Sequence, residues 1–225
     1  MRIRVSLATA AVLCCVWSGA AEAHKVTLGT GLYTEYGKGG SSLINFIVCG
    51  SVGSSMGCYG SGRLGPFEQP CAVLEGKAKQ KKSVVKRAIY VLDKRSSNAA
   101  SMTLTVFTRI DTFGDNSDSI QVRQTKLVPL GVTGGPDAKC SMAGNDAFVY
   151  AGTDAQNSVV VIDKKAFTIS TIQKSGDVQS ITADDQGDVA LNFGDFSELF
   201  DPQGNQITGA EGPADVVGTL NAWKP

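Results

Sequence analysis

Short apolar runs interrupted by turn residues recur along this chain, and they predict strands instead of helices. The clearest stretch covers residues 147–172, AFVYAGTDAQNSVVVIDKKAFTISTI. β-Branched and aromatic residues fill 148–150, 158–162 and 167–172, and Gly, Asp, Asn and Lys fill the breaks, so three strands with two tight turns are expected. Upstream, 84–92 reads as a strand and 102–110 as another. In the second, Leu104, Val106 and Thr108 point one way, and Thr103, Thr105, Phe107 and Arg109 the other. Residues 43–48, 71–74, 120–127, 189–193 and 196–200 add further short strands, and Asp201-Pro202-Gln203-Gly204-Asn205 marks a turn. The fold class expected is all-β.

The strands repeat as groups. Val189-Ala190-Leu191-Asn192-Phe193 answers 148–150, Leu199-Phe200-Asp201 answers 159–163, and Ile207 answers the third strand, at an offset of about 40 residues. Ile89-Tyr90-Val91-Leu92-Asp93 is a looser counterpart upstream. A period of this size with three or four strands per unit predicts small antiparallel sheets packed face to face, as in a β-propeller. A β-sandwich with the same spacing is the alternative.

Phe148-Val149-Tyr150-Ala151-Gly152 and Ser158-Val159-Val160-Val161-Ile162-Asp163, followed by residues 178–187, resemble the YVTN-type β-propeller repeat over about residues 140–190. Asn192-Phe193 departs from that repeat's usual strand ending. The resemblance implies a propeller-like fold and no particular activity.

Residues 1–23 read as a secretory signal peptide. Arg2 and Arg4 precede an apolar core over 5–17, and Ala21-Glu22-Ala23 has small-x-small form. The remaining 24–225 is expected to form one all-β domain: a loop-rich, disulfide-braced part at 49–83, then a repeat-like part at 84–225. With Arg2, Arg4 and Glu22 set aside, 19 basic and 20 acidic residues remain of the 21 of each. That balance argues against a nucleic-acid partner. No apolar run of transmembrane length follows the signal. The expected location is the periplasm or the extracellular space.

Four cysteines lie beyond the signal: Cys49, Cys58, Cys71 and Cys140. Their even number and the export signal predict two disulfides, with three pairings open. Cys58–Cys71, closing the Gly/Pro-rich loop, with Cys49–Cys140 is the preferred pairing. No Cys-x2–4-Cys spacing supports zinc.

Candidate chemistry is sparse. His24 is the only histidine, so no Ser-His-Asp system forms without it, and a copper site through it lacks a second imidazole. Asp111 and Asp115, in the turn-like run DTFGDNSD, are weak calcium candidates whose spacing misses the EF-hand pattern. No catalytic residue and no cofactor is assigned. The basic run Lys77, Lys79, Lys81, Lys82, Lys86 and Arg87 suits a solvated loop or a polyanion, phospholipid or acidic partner. Tyr59, Arg63 and Phe67 are the ligand-binding candidates, on a rigid Gly-rich loop. The function expected is that of an exported binding or scaffold protein whose partner is a protein, a peptide or a glycan. The alternatives are a carbohydrate-acting hydrolase with paired carboxylates, or a structural protein that assembles with copies of itself through open sheet faces.

Overall fold

Among the described residues sixteen strands form four sheets that follow one another along the chain. The computed structural model describes residues 26–27, 31–36, 42–52, 55–94, 101–113, 118–135, 137–173, 176–184, 186–193, 197–201 and 203–207. The first sheet holds β1 (Val26–Thr27), β2 (Gly31–Tyr36), β3 (Ser42–Val52) and β4 (Ser55–Phe67), with β1 and β2 along one edge of β3 and β4 along the other. The second holds β5 (Pro70–Glu75), β6 (Lys79–Lys81), β7 (Val84–Asp93), β8 (Thr103–Phe113) and β9 (Asp118–Pro129), in the order β5-β7-β8-β9 with β6 also on β7. The third is a meander of β10 (Cys140–Gly144), β11 (Phe148–Thr153), β12 (Ser158–Asp163) and β13 (Ile169–Gln173). The fourth is β14 (Ser180–Ala183), β15 (Val189–Asn192) and β16 (Ser197–Phe200), and Gln206 bridges back to Phe200.

All ladders are antiparallel, and no helix occurs among the described residues. Successive sheets meet through one strand each: β2 lies beside β5, β5 beside β10, and β10 beside β14. This is a propeller-like succession of small antiparallel sheets.

Strand alternation explains the stacking. On β7, Ile89 and Val91 face the first sheet and pack with Ile44, Phe46 and Phe107, whereas Tyr90 and Leu92 face the third and pack with Leu104, Met142 and Ile162. On β12, Val160 and Ile162 face the second sheet, and Val159 and Val161 face Val189, Leu191 and Phe200 of the fourth. A central strand buried on both faces is apolar along its middle, which is why VVVI at 159–162 and IYVL at 89–92 are unbroken runs. The core is therefore three layers between four sheets.

The repeat expected from the sequence has its structural counterpart. β15 takes the place of β11, β16 that of β12, and the Phe200–Gln206 bridge marks where the third strand of the group returns. Ile89 and its neighbours lie on β7, second in its sheet as β11 is in the third.

The N-terminal half differs from expectation. Residues 55–67 are a 13-residue strand, not a disulfide-closed loop. Its glycines are used for close approach: a Cβ on Gly62 would lie 2.5 Å from Cζ of the buried Phe46 ring, and one on Gly60 would meet Ile120 of β9. Gly60, Gly62 and Leu64 are cross-strand partners of Val48, Phe46 and Ile44, so all share the face turned to the second sheet. A composition that suggests a loop here serves a strand that must sit tightly against its neighbours. Gly62→Ala is expected to cost about 1–3 kcal/mol, because its Cβ would press on the buried Phe46 ring. Urea denaturation of the two proteins measures it.

The expected disulfide pairing is overturned. Cys71 bonds to Cys140, with Cα atoms 5.6 Å apart, and joins the first strands of the second and third sheets. Cys58 is also disulfide-bonded and lies directly opposite Cys49 in the β3–β4 register. The physical reason is the strand at 55–67, which places Cys58 in the first sheet while Cys71 begins the second.

Candidate binding site

A cleft of about 540 Å3 opens between the second and third sheets. It begins where the edge of β7 changes partner. β5 pairs with β7 as far as Glu75↔Ile89, and β6 resumes at Lys79↔Lys86. Between them Gly76 donates its N–H to the Ala88 carbonyl at 2.8 Å, and the chain bulges through Lys77 and Ala78. Small side chains floor the hollow: Gly76, Ala88, and Thr108, the direct cross-strand partner of Ala88. At its inner end the Tyr90 ring is buried, and burial raises its phenol above the usual range.

The walls are cationic. Lys79 and Lys86 are direct cross-strand partners, and among the described residues neither has a carboxylate within salt-bridge distance. Like charges placed directly opposite destabilise a sheet unless something neutralises them. Across the gap Lys77 pairs with Asp146 at 3.2 Å, and both are largely exposed, so the pair screens little of the field. The fourth cation, Lys164, comes from the turn after β12. Its Nζ lies 5.3 Å from the centre of the Tyr90 ring and donates to the Asn145 carbonyl. Burial pulls its pKa down to about 8, with Lys77 lowering it further and Asp146 opposing.

The turn holding Lys164 is firmly built. Asp163 Oδ1 accepts from the N–H groups of Lys165 at 2.7 Å and Ala166 at 2.6 Å. The Phe167 N–H donates to the Asp163 carbonyl, and the Lys164 N–H donates to the Ala147 carbonyl at 2.8 Å. Opposite, a Cβ on Gly144 would approach Lys164 Nζ to 3.4 Å and the Phe148 carbonyl to 2.8 Å, so the missing side chain leaves room for the amine.

The other face of the second sheet carries a buried charge cluster. Arg87 and Arg109 are direct cross-strand partners on β7 and β8. Glu75 bridges them: Oε1 accepts from Arg109 Nη1 at 2.6 Å, and Oε2 from Arg87 Nη1 at 3.0 Å. Asp111 Oδ1 lies 3.1 Å from Arg109 Nε, and none of the four side chains is more than 6% exposed. Burial pushes the Asp111 carboxyl up, against the pull of Arg109 and Arg87. Arg87 also lines the cleft, but its guanidinium is turned to Glu75 on the first-sheet side of its strand. The cluster fixes how the strands sit and is closed to solvent.

The residues singled out from sequence are scattered by the fold. Asp111 belongs to this ion cluster on β8, not to a calcium loop, and Asp115 lies outside the described residues, as does His24. Phe67 is buried and meets Phe107 edge-on with centroids 6.0 Å apart, so it is core and not a recognition surface. Arg63 is exposed on β4, and Tyr59 lies on the same strand. Asp184 Oδ1 caps the N–H groups of Gln186, Gly187 and Asp188, and Asp201 caps Gln203 and Asn205, so these acids close their own turns. Of the basic run, Lys77, Lys79, Lys86 and Arg87 line the cleft, and Lys81 and Lys82 do not. Sequence reasoning missed Lys164 and Asp146. Both sit beside turns that the pattern marked, yet only the stacking of two sheets brings them to the basic run.

Among the described residues no helix is long and apolar enough to cross a membrane, and no group of three or more His, Cys, Asp and Glu could hold a metal ion. No family model matches the chain, and no curated protein matches it. A solved structure, BBS1N in complex with ARL6DN soaked with lead, aligns over 81% of this chain and 68% of that one, at 10% identity and a TM-score of 0.32. A superposition this loose says nothing of what the chain binds, and the resemblance to the YVTN-type repeat rests on this chain's residues alone.

Proposed function

We propose that the chain is an exported binding module whose cleft between the second and third sheets takes a compact anionic ligand. The observation that carries this reading is the directly paired Lys79 and Lys86 at the mouth of a hollow that also holds Lys77 and Lys164, with Asp146 as the one lining carboxylate. An anionic group seated there relieves the repulsion between facing lysines, and its binding energy includes that relief. The volume suits a small molecule or the charged end group of a glycan. Export is supported by the signal-like N-terminus and by the Cys71–Cys140 disulfide. The fold supports the YVTN-type repeat reading only as far as the sheet pattern goes.

A hydrolase needs two carboxylates facing one cleft, and among the described residues that line it Asp146 is the one carboxylate, paired with Lys77. That favours binding over glycoside cleavage.

Equilibrium dialysis with citrate and inorganic phosphate tests the proposal. K79Q/K86Q is expected to weaken binding by roughly tenfold or more, and K81Q/K82Q to change it by less than about twofold. Ala88→Leu, which fills the floor, is expected to abolish it. Equal losses from both lysine pairs would reduce the effect to diffuse surface charge and sink the cleft.

A further inference from the structure

We propose that Lys164 makes the cleft a carbonyl-capturing site: its ligand is an aldehyde or ketone bearing an anionic group, held as an imine on Nζ. This rests on the anion-binding reading above and goes beyond it by naming the reactive group.

The geometry separates Lys164 from the other lysines of the cleft. Lys77 is 72% exposed, and Lys79 and Lys86 are also solvated. Lys164 alone brings its amine inside, between the Tyr90 ring and the Asn145 carbonyl, on a turn locked by Asp163. The space beside Nζ is kept by Gly144. The charged and titratable groups facing it are Lys77, Asp146 and Tyr90, and among the described residues none forms an ion pair with it. Desolvation dominates, which is the way proteins prepare a lysine for imine formation. With a pKa of about 8, about one-tenth of the amine is neutral at pH 7, roughly 300 times the neutral fraction of an ordinary lysine.

The step balances without a redox partner. The neutral Nζ attacks the carbonyl carbon, a C–N bond forms as the C=O π bond breaks, and one of the two amine hydrogens passes as a proton to the carbonyl oxygen. The second amine hydrogen then passes as a proton to the hydroxyl, which departs as water and leaves C=N. Hydrolysis reverses every bond. The cationic rim of Lys77, Lys79 and Lys86 holds the anionic group of the same molecule and raises the local concentration of the carbonyl.

The test uses the full oxidised chain and pyridoxal 5′-phosphate, an aldehyde carrying a phosphate, followed by borohydride reduction and peptide mapping. Adduct on Lys164 is expected to exceed that on each exposed lysine by at least about tenfold at pH 7. It should level off above about pH 8 while the exposed lysines keep gaining toward pH 10, and excess inorganic phosphate should suppress it. Adduct spread evenly over the lysines, with phosphate still bound by dialysis, overturns this inference and leaves the anion-binding reading standing. Even labelling together with no phosphate binding overturns both. The native chain carries the readout, so no variant need fold.

Discussion

Glu75→Gln is expected to destabilise the protein by about 3–5 kcal/mol, seen as a lower urea midpoint with an unchanged slope. Glu75 touches both Arg87 and Arg109, which face each other across the β7–β8 ladder. Removing its charge leaves two buried guanidinium groups opposed, with Asp111 beside one of them. Neither arginine can neutralise itself by losing a proton. The cost is that of the stranded charges, not the net worth of the bridge. Arg87→Met in the Glu75→Gln background should therefore recover part of the loss, because it removes one stranded cation and keeps the packing volume. A loss below about 1 kcal/mol for Glu75→Gln would mean that water reaches the cluster.

Removing the Cys71–Cys140 disulfide as the double alanine variant is expected to cost about 4 kcal/mol. The bond closes a loop with a sequence separation of 69, and in the chain-entropy account a loop of this length confers about that much by restricting the unfolded chain. It also ties β5 to β10, the two first strands that bound one side of the cleft's layer. Anion affinity should therefore fall along with the melting temperature. Thermal unfolding of the oxidised and variant chains measures the first effect, and dialysis with phosphate the second. An unchanged melting temperature would show that the second and third sheets hold together by the apolar layer alone.

How legible these features were in the sequence depends on the range of the interaction. The parity of Leu104, Val106 and Phe107 was readable because alternation is a local property, and it places each side chain on the face where it packs. The same parity puts Arg109 and Asp111 beside Phe107 on an inward face, so a buried cluster could have been inferred from two charges in core register. The glycines of β4 misled because glycine marks both loops and close approach. Only the facing Phe46 and Ile120 side chains decide between them. The cleft needed still longer-range knowledge. Lys79 and Lys86 meet across a two-residue turn whose first residue, Lys82, takes a φ of 55°. Lys164 arrives from 78 positions after Lys86 once the third sheet is laid on the second. The misassigned disulfides have the same origin, since chain proximity suggested Cys58–Cys71 while sheet membership separates them.

An anion that binds in the hollow between the second and third sheets perturbs the backbone amides that line it. Amide 1H–15N shift mapping of the oxidised chain, titrated with inorganic phosphate, tests it most directly. Saturable shifts centred on Gly76, Lys77, Ala88, Thr108 and Lys164, with Lys81 and Lys82 little affected, are the result expected. Shifts confined to Lys81, Lys82 and other solvated lysines, or linear and unsaturated everywhere, would contradict it.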